Sequence, residues 1–309
     1  MSENSATAFA PATCGNVCVG FDTLGLCYTG VGDIVSVSKQ SKKGISIAEI
    51  KSKDPLPLDP KKNTAGVVLE ELCKLRKLDY GLSVSIEKGI RSSSGMGGSA
   101  ASAVGALTAA NALLEHPLTK EEVLQISLKG EEISCGSAHA DNVAPCIFGG
   151  QVLIWGSKKK NIKQIPFPTD WTILLTHPEV KVSTAAARRV LKENFSLETI
   201  SKHNQKIAGY ISSCYTGDNE LLMSSFQDLI TEKERAPLTP GYLEIKSMAL
   251  EEGALGHSLS GSGPAQLTIC PNQEIAENIR HKVKKIYSSK NIECKSFIGP
   301  INTQGTHLI

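Results

Sequence analysis

Residues 91 to 102 read RSSSGMGGSAAS, and glycines set among serines in this way can hold an anion. A backbone without Cβ atoms lets a charged group approach closely, and the unpaired N–H groups at a helix start attract negative charge, so phosphate is the natural ligand. Gly-rich turns before helices also arise for purely local reasons, so position and neighbours must decide. The Walker A pattern is absent, since no Gly-Lys-Ser or Gly-Lys-Thr follows the glycines. Gly95, Gly97 and Ala100 do satisfy G-x-G-x-x-A, the looser dinucleotide fingerprint. That fingerprint should open a domain after a continuous apolar strand of a parallel sheet, not arrive about ninety residues into the chain, so a dinucleotide-binding dehydrogenase is a weak reading of this loop.

Such a loop needs a strand before it and a helix after it. Residues 82 to 88, LSVSIEK, alternate Leu82, Val84 and Ile86 with Ser83, Ser85 and Glu87, which predicts a strand with one buried face in an antiparallel or mixed sheet. Residues 99 to 115 carry small and apolar residues on nearly every face, which predicts a helix in the middle of a domain. Thr119 and Glu122 have the spacing of a capping box, so a second helix should start there and run to about Ser134, with Glu131 in its last turn. The polar, Lys-rich stretch GSKKKNIKQIPFPTD from Gly156 to Asp170 marks the expected boundary between a first domain, residues 1–160, and a second, residues 161–309. Beyond it the pattern predicts a strand at Trp171 to Thr176, helices from Thr184, apolar runs at 255–260 and 265–270, a helix at 273–288 and a strand at 292–298. With the extra helices set aside, that order is βαββαβ, the ferredoxin-like split unit. The fold class is therefore α+β with two domains.

The 309 residues are 40% hydrophobic and 21% charged, and 33 Lys and Arg against 31 Asp and Glu leave a net charge of +2. No basic face is implied, so a small molecule is the expected partner, with no nucleic acid. No apolar run approaches the roughly 20 residues that span a bilayer, and the first residues lack a signal-peptide pattern, so no membrane association is expected. Nine cysteines without a Cys-x-x-Cys pair or zinc spacing read as reduced thiols of a cytoplasmic protein.

Three segments, in order, resemble the motifs of the galactokinase, homoserine kinase, mevalonate kinase and phosphomevalonate kinase (GHMP) superfamily of small-molecule kinases, and among these the homoserine kinases. They are FAPATCGNVCVGFDTLG at 9–25; RSSSGMGGSAAS, followed by HADNVAPCIFGG at 139–150; and LSGSGPAQ at 259–266. Family loops usually begin with Pro where this chain has Arg91, and commonly end in two serines where it has Gly98 and Ser99. The resemblance implies a ribosomal protein S5 domain 2-like ATP-binding domain followed by a ferredoxin-like domain, with ATP and Mg2+ as cofactors, L-homoserine as substrate and a homodimer as the assembly.

Residue by residue, the resemblance assigns ATP phosphates to the loop Arg91, Ser92, Ser93, Ser94, Gly95, Met96, Gly97, Gly98, Ser99 and Ala100, with Asn63 and Lys88 near the base. Ser99 and Glu131 are implied magnesium ligands, a hydroxyl and a carboxylate being apt oxygen donors. Asn16, Asp22, His139, Asn142, Thr184, Arg188, Arg235 and Gly261 are implied around homoserine, whose ammonium wants a carboxylate and whose carboxylate wants a guanidinium. Asp141 occupies the place of the catalytic Asp of mevalonate kinase-like relatives. The neighbouring Asn142 could instead face the reacting hydroxyl, with the proton leaving to a phosphate oxygen. Two alternatives stay open: a sister kinase acting on a mevalonate-type alcohol, and a non-catalytic ligand-binding relative.

Overall fold

Alternation around Val84 does produce a half-buried strand. The computed structural model describes residues 4–135, 138, 140–156 and 161–309, with the side chains of 133–135 left aside. Its first half contains β1 (Ser5–Gly15), β2 (Leu24–Gln40), β3 (Ile45–Lys51), α1 (Thr64–Arg76), β4 (Gly81–Glu87), α2 (Gly98–Asn111), α3 (Lys120–Cys135), α4 (Ala140–Phe148), β5 (Gln151–Trp155) and β6 (Asn161–Ile165). With a short last strand, β11 (His307–Leu308), the sheet order is β11-β1-β2-β4-β3, and β5 joins the near end of β2 and pairs with β6. The sheet is mixed, because β4 runs antiparallel to β2 but parallel to β3. The antiparallel pairing of β4 removes the parallel sheet that the dehydrogenase alternative requires.

Small residues bring α2 close to that sheet. Almost every residue of α2 from Ala100 to Ala110 is buried, and a Cβ on Gly105 would come within 2.8 Å of Val35 Cγ2 and 3.2 Å of Ala10 Cβ. Larger side chains would push the helix, and the phosphate loop at its start, away from the strands. The capping box at α3 forms as its spacing predicts: Thr119 N donates to Glu122 Oε2 at 2.8 Å and Glu122 N donates to Thr119 Oγ1 at 3.2 Å.

The second half contains β7 (Thr172–Pro178), α5 (Thr184–Arg189), α6 (Leu197–Thr216), α7 (Asn219–Ser225), α8 (Glu232–Arg235), α9 (Tyr242–Glu251), β8 (Gly256–Leu259), β9 (Gln266–Cys270), α10 (Gln273–Ser289) and β10 (Cys294–Gly299). The strands pair antiparallel in the order β10-β7-β9-β8, which is the ferredoxin-like arrangement of a split βαββαβ unit. Ala276, Ile279, Val283 and Tyr287 form the buried stripe of α10, and Asn272 caps it by accepting from Ile275 N at 2.9 Å.

The halves interlock. Because β6 pairs along the whole of β5, the first sheet continues to Ile165, past the expected division at residue 160. Tyr210 and Cys214 of α6 are buried in the same core as the first sheet, where both meet Gln151 of β5. No helix among the described residues is long and apolar enough to cross a membrane.

Candidate active site

The phosphate loop between β4 and α2 is shaped by where its carbonyls go. Ser93 O accepts from Val182 N at 3.4 Å, Ser94 O from Ala265 N at 3.0 Å, Gly95 O from Ser260 Oγ at 2.7 Å and Met96 O from Thr13 N at 3.1 Å. Four consecutive carbonyls held by donors from elsewhere fix the path of the loop from outside. Gly97 precedes α2 with φ of 66° and no side-chain cap, so the first amides of this helix are left for a ligand. A Cβ at Gly97 would lie 2.0 Å from Thr13 Oγ1, and one at Gly95 would lie 2.5 Å from Ser260 O. Glycine is required at both positions, where the other two motifs touch the loop.

The expected ATP residues divide by position. Ser92, Ser93, Ser94, Gly95, Gly97, Gly98 and Ser99 line one cavity of about 340 Å3, together with Asn63, Lys88 and Arg91. Met96 and Ala100 do not line it; both are buried in the core beneath the loop.

Three of the polar side chains are already engaged. Asn63 caps α1, accepting from Ala65 N at 3.0 Å and donating to Pro57 O at 3.1 Å. The Lys88 ammonium pairs with buried Asp33 and donates to Gly98 O at 2.8 Å and Ser102 Oγ at 2.9 Å, so its three protons are committed to protein. Arg91 grips Asp54 through Nε at 2.8 Å and Nη2 at 3.1 Å, and reaches Glu179, just after β7, through Nη1 at 2.8 Å. Asp54 also accepts from Ser92 N at 3.0 Å, and the Arg91 guanidinium beside it holds its carboxyl well below the usual carboxylate range. Arg91 thus ties the loop to both halves of the chain.

The other end of the cavity carries two guanidiniums and a carboxylate. Arg188 of α5 donates through Nη2 to both oxygens of Asp22, at 3.0 and 3.2 Å. Arg235, at the end of α8, donates to Ala187 O and Gly261 O, each at 3.2 Å, and burial pushes its pKa down. The Phe21 ring lies beneath both guanidiniums, 5.5 Å from Arg188 Cζ and 5.3 Å from Arg235 Cζ. Asn16 donates to Gly261 O at 2.9 Å and accepts from Asp22 N at 3.0 Å, pinning the loop after β1 to the glycine turn between β8 and β9. Thr184 sits 3.5 Å from Ser262, hydroxyl to hydroxyl. Asn16, Asp22, Thr184, Arg188, Arg235 and Gly261 all line the cavity; His139 lies outside the described residues.

Between the two ends stand Asp141 and Asn142, on the first turn of α4. Asn142 Oδ1 accepts from Thr13 Oγ1 at 3.0 Å. Asp141 is 3% exposed, and a Cβ on Gly15 would lie 2.2 Å from its Oδ2, so only glycine at 15 leaves this carboxylate its place. Ser99, on the first turn of α2, and Glu131, 1% exposed on α3, line the same cavity. A hydroxyl and a carboxylate are the oxygen donors magnesium accepts, and no group of three or more His, Cys, Asp or Glu suited to a metal occurs among the described residues.

Leu56, Pro57, Lys62, Thr64 and Ile86 also line the cavity and were not anticipated. The segment before α1 has no glycine signature, so its apolar and cationic side chains looked like ordinary loop residues. Phe21 was within reach of sequence reasoning, since it lies inside the segment at 9–25.

Comparison with known proteins agrees with this geometry. The family model described as "GHMP kinases N terminal domain" matches residues 63–150, and "GHMP kinases C terminal" matches 212–289. Homoserine kinase of Xylella fastidiosa (strain M12) is 38% identical over 100% of this chain and 95% of its own length. Homoserine kinase of Chlorobium phaeobacteroides (strain BS1) is 37% identical over 99% of each chain. The crystal structure of homoserine kinase from Cytophaga hutchinsonii superposes with a TM-score of 0.96 at 36% identity, covering 99% of this chain and 98% of that one. With three motifs meeting at one cavity and full-length similarity of this degree, the chain belongs to the GHMP kinases and, within them, to the homoserine kinase family.

Proposed function

We propose that this protein transfers the γ-phosphoryl group of ATP to the side-chain hydroxyl of L-homoserine, giving O-phospho-L-homoserine for threonine biosynthesis. The observation that carries the reading is the Asp22–Arg188 pair facing the phosphate loop across a single cavity. A zwitterionic amino acid brings one ammonium and one carboxylate, so it can replace each member of that pair by a charge of the same sign without leaving either unmatched. A mevalonate-type alcohol has no ammonium to offer Asp22.

The chain's own groups then divide the work of an in-line transfer. Amides of residues 95–99 bind the phosphates, while Arg188 and Arg235 orient the amino acid from the opposite side. Asn142, steadied by Thr13, positions the acceptor hydroxyl, and Asp141 beside it takes the hydroxyl proton. Ser99 and Glu131 would hold Mg2+, which when bound neutralises charge on the phosphate oxygens. We further assign the protein to the cytoplasm, where the free thiols seen at eight described cysteines persist, and to a homodimer, which sedimentation equilibrium would test.

The deciding experiment measures ADP formation from MgATP with L-homoserine, L-serine, L-threonine and mevalonate offered separately. Turnover on L-homoserine alone is expected. Turnover on mevalonate would overturn the substrate, and ADP formation with none of them would leave a ligand-binding relative.

A further inference from the structure

Phosphoryl transfer concentrates negative charge, and a nucleotide site commonly supplies at least one side-chain cation for it. Five cations line the cavity: Lys62, Lys88, Arg91, Arg188 and Arg235. Four are committed. Lys88 is neutralised by Asp33, Arg91 by Asp54 and Glu179, and Arg188 by Asp22. Arg235 is buried against Ala187 O and Gly261 O at the amino-acid end. Lys62 is exposed and has no ion pair or side-chain hydrogen bond among the described residues. It sits in the turn directly before α1, next to Leu56 and Pro57 on the cavity wall and one residue from the Asn63 cap.

We infer that Lys62 is the side-chain cation that contacts the phosphates of the nucleotide, in place of the loop cations Lys88 and Arg91. Leu56, Pro57 and Ile86 form the apolar wall against which the base packs, and Lys62 stands at the edge of that wall. Breaking a buried pair to free Lys88 or Arg91 would strand Asp33 or Asp54, whereas an exposed lysine gives up only water. The inference rests on the kinase reading, and its test must fail separately from that reading.

The test compares wild type, Lys62→Met and Lys62→Arg by calorimetric binding of ADP and of adenosine, and by titration of MgATP at saturating L-homoserine. Losing one charge-assisted contact should weaken ADP binding and raise the KM for MgATP about tenfold in Lys62→Met, with adenosine binding unchanged and Lys62→Arg close to wild type. Equal loss for ADP and adenosine, or no loss for either, would overturn the inference while leaving the kinase intact. Wild-type protein that binds no ADP would overturn the kinase reading together with it. Thermal melting of Lys62→Met within the wild-type range separates lost binding from lost fold, as expected for an exposed side chain.

Discussion

Asp141 and Asn142 are adjacent in sequence yet are asked to do different things, and isosteric changes can separate them. Asp141→Asn keeps the shape packed against Gly15 but removes the proton acceptor, so kcat should fall by about 10^2- to 10^4-fold while both KM values change little. Steady-state kinetics checks this, and a decrease under about threefold would pass the proton directly to a phosphate oxygen. Arg91 is a structural residue by the same kind of reasoning. Arg91→Ala leaves the Asp54 carboxylate, 4% exposed, with Ser92 N and Lys181 but without its bidentate partner, and should cost on the order of 2–3 kcal/mol in urea denaturation. Adding Asp54→Asn to that variant should recover part of the loss, because the stranded charge is gone. Because the native carboxyl of Asp54 titrates below its unfolded value of about 4, its contribution is complete above that pH and fades as the pH falls further.

Elements decide whether those residues meet, and the joint before α2 is the most demanding of them. Gly97→Ala meets both a positive φ and a Cβ 2.0 Å from Thr13 Oγ1. Displacing the loop should raise the KM for MgATP at least about tenfold, more than it changes that for L-homoserine. Strand β4 and helices α3 and α10 were legible in advance because each carries a period or cap in its own residues, α2 because its run of small and apolar residues has no polar face, and the order of the second-half segments gave the ferredoxin-like unit. Strands β1 and β2 were not described as strands, since Pro11, Gly25, Gly30 and Gly32 interrupt them and the pairing that rescues them comes from each other. Helix α4 hid behind Pro145. The lining of the site was largely legible, but the state of its side chains was not. No spacing reveals that Asp33 and Asp54, distant in sequence, consume the charges of Lys88 and Arg91.

At the scale of the whole molecule, the second sheet buries two histidines. His177 on β7 is pushed down to about 4 and His257 on β8 to about 3, both by burial. Around His177 lie Glu179, Asp54, Arg91 and Lys295; His257 faces Lys246 and is bonded to Thr268 at 2.8 Å and Gln266 at 3.0 Å. Unfolded, each would take a proton near 6.5, whereas the folded protein refuses it. Stability should therefore hold above that pH and fall below it, by up to about 1.4 kcal/mol per pH unit for each histidine, until the folded values of about 4 and about 3 are reached. Urea denaturation at a series of pH values measures the slope, and His257→Gln should remove one proton's share of it.

The pairing of β1 with β11 has a consequence for how the molecule is made. Phe9 lies opposite His307, Ala8 lies opposite Leu308, and Ile309 N donates to Thr7 O at 2.9 Å. One edge of the first sheet is thus completed by residues that leave the ribosome only after the whole second domain has been synthesised. Until then the nascent chain carries an uncovered strand edge, open to pairing with other chains. Crowded polysomes and concentrated refolding mixtures are where the cost of that late closure should appear, as aggregates seeded by chains in which β11 has yet to pair with β1.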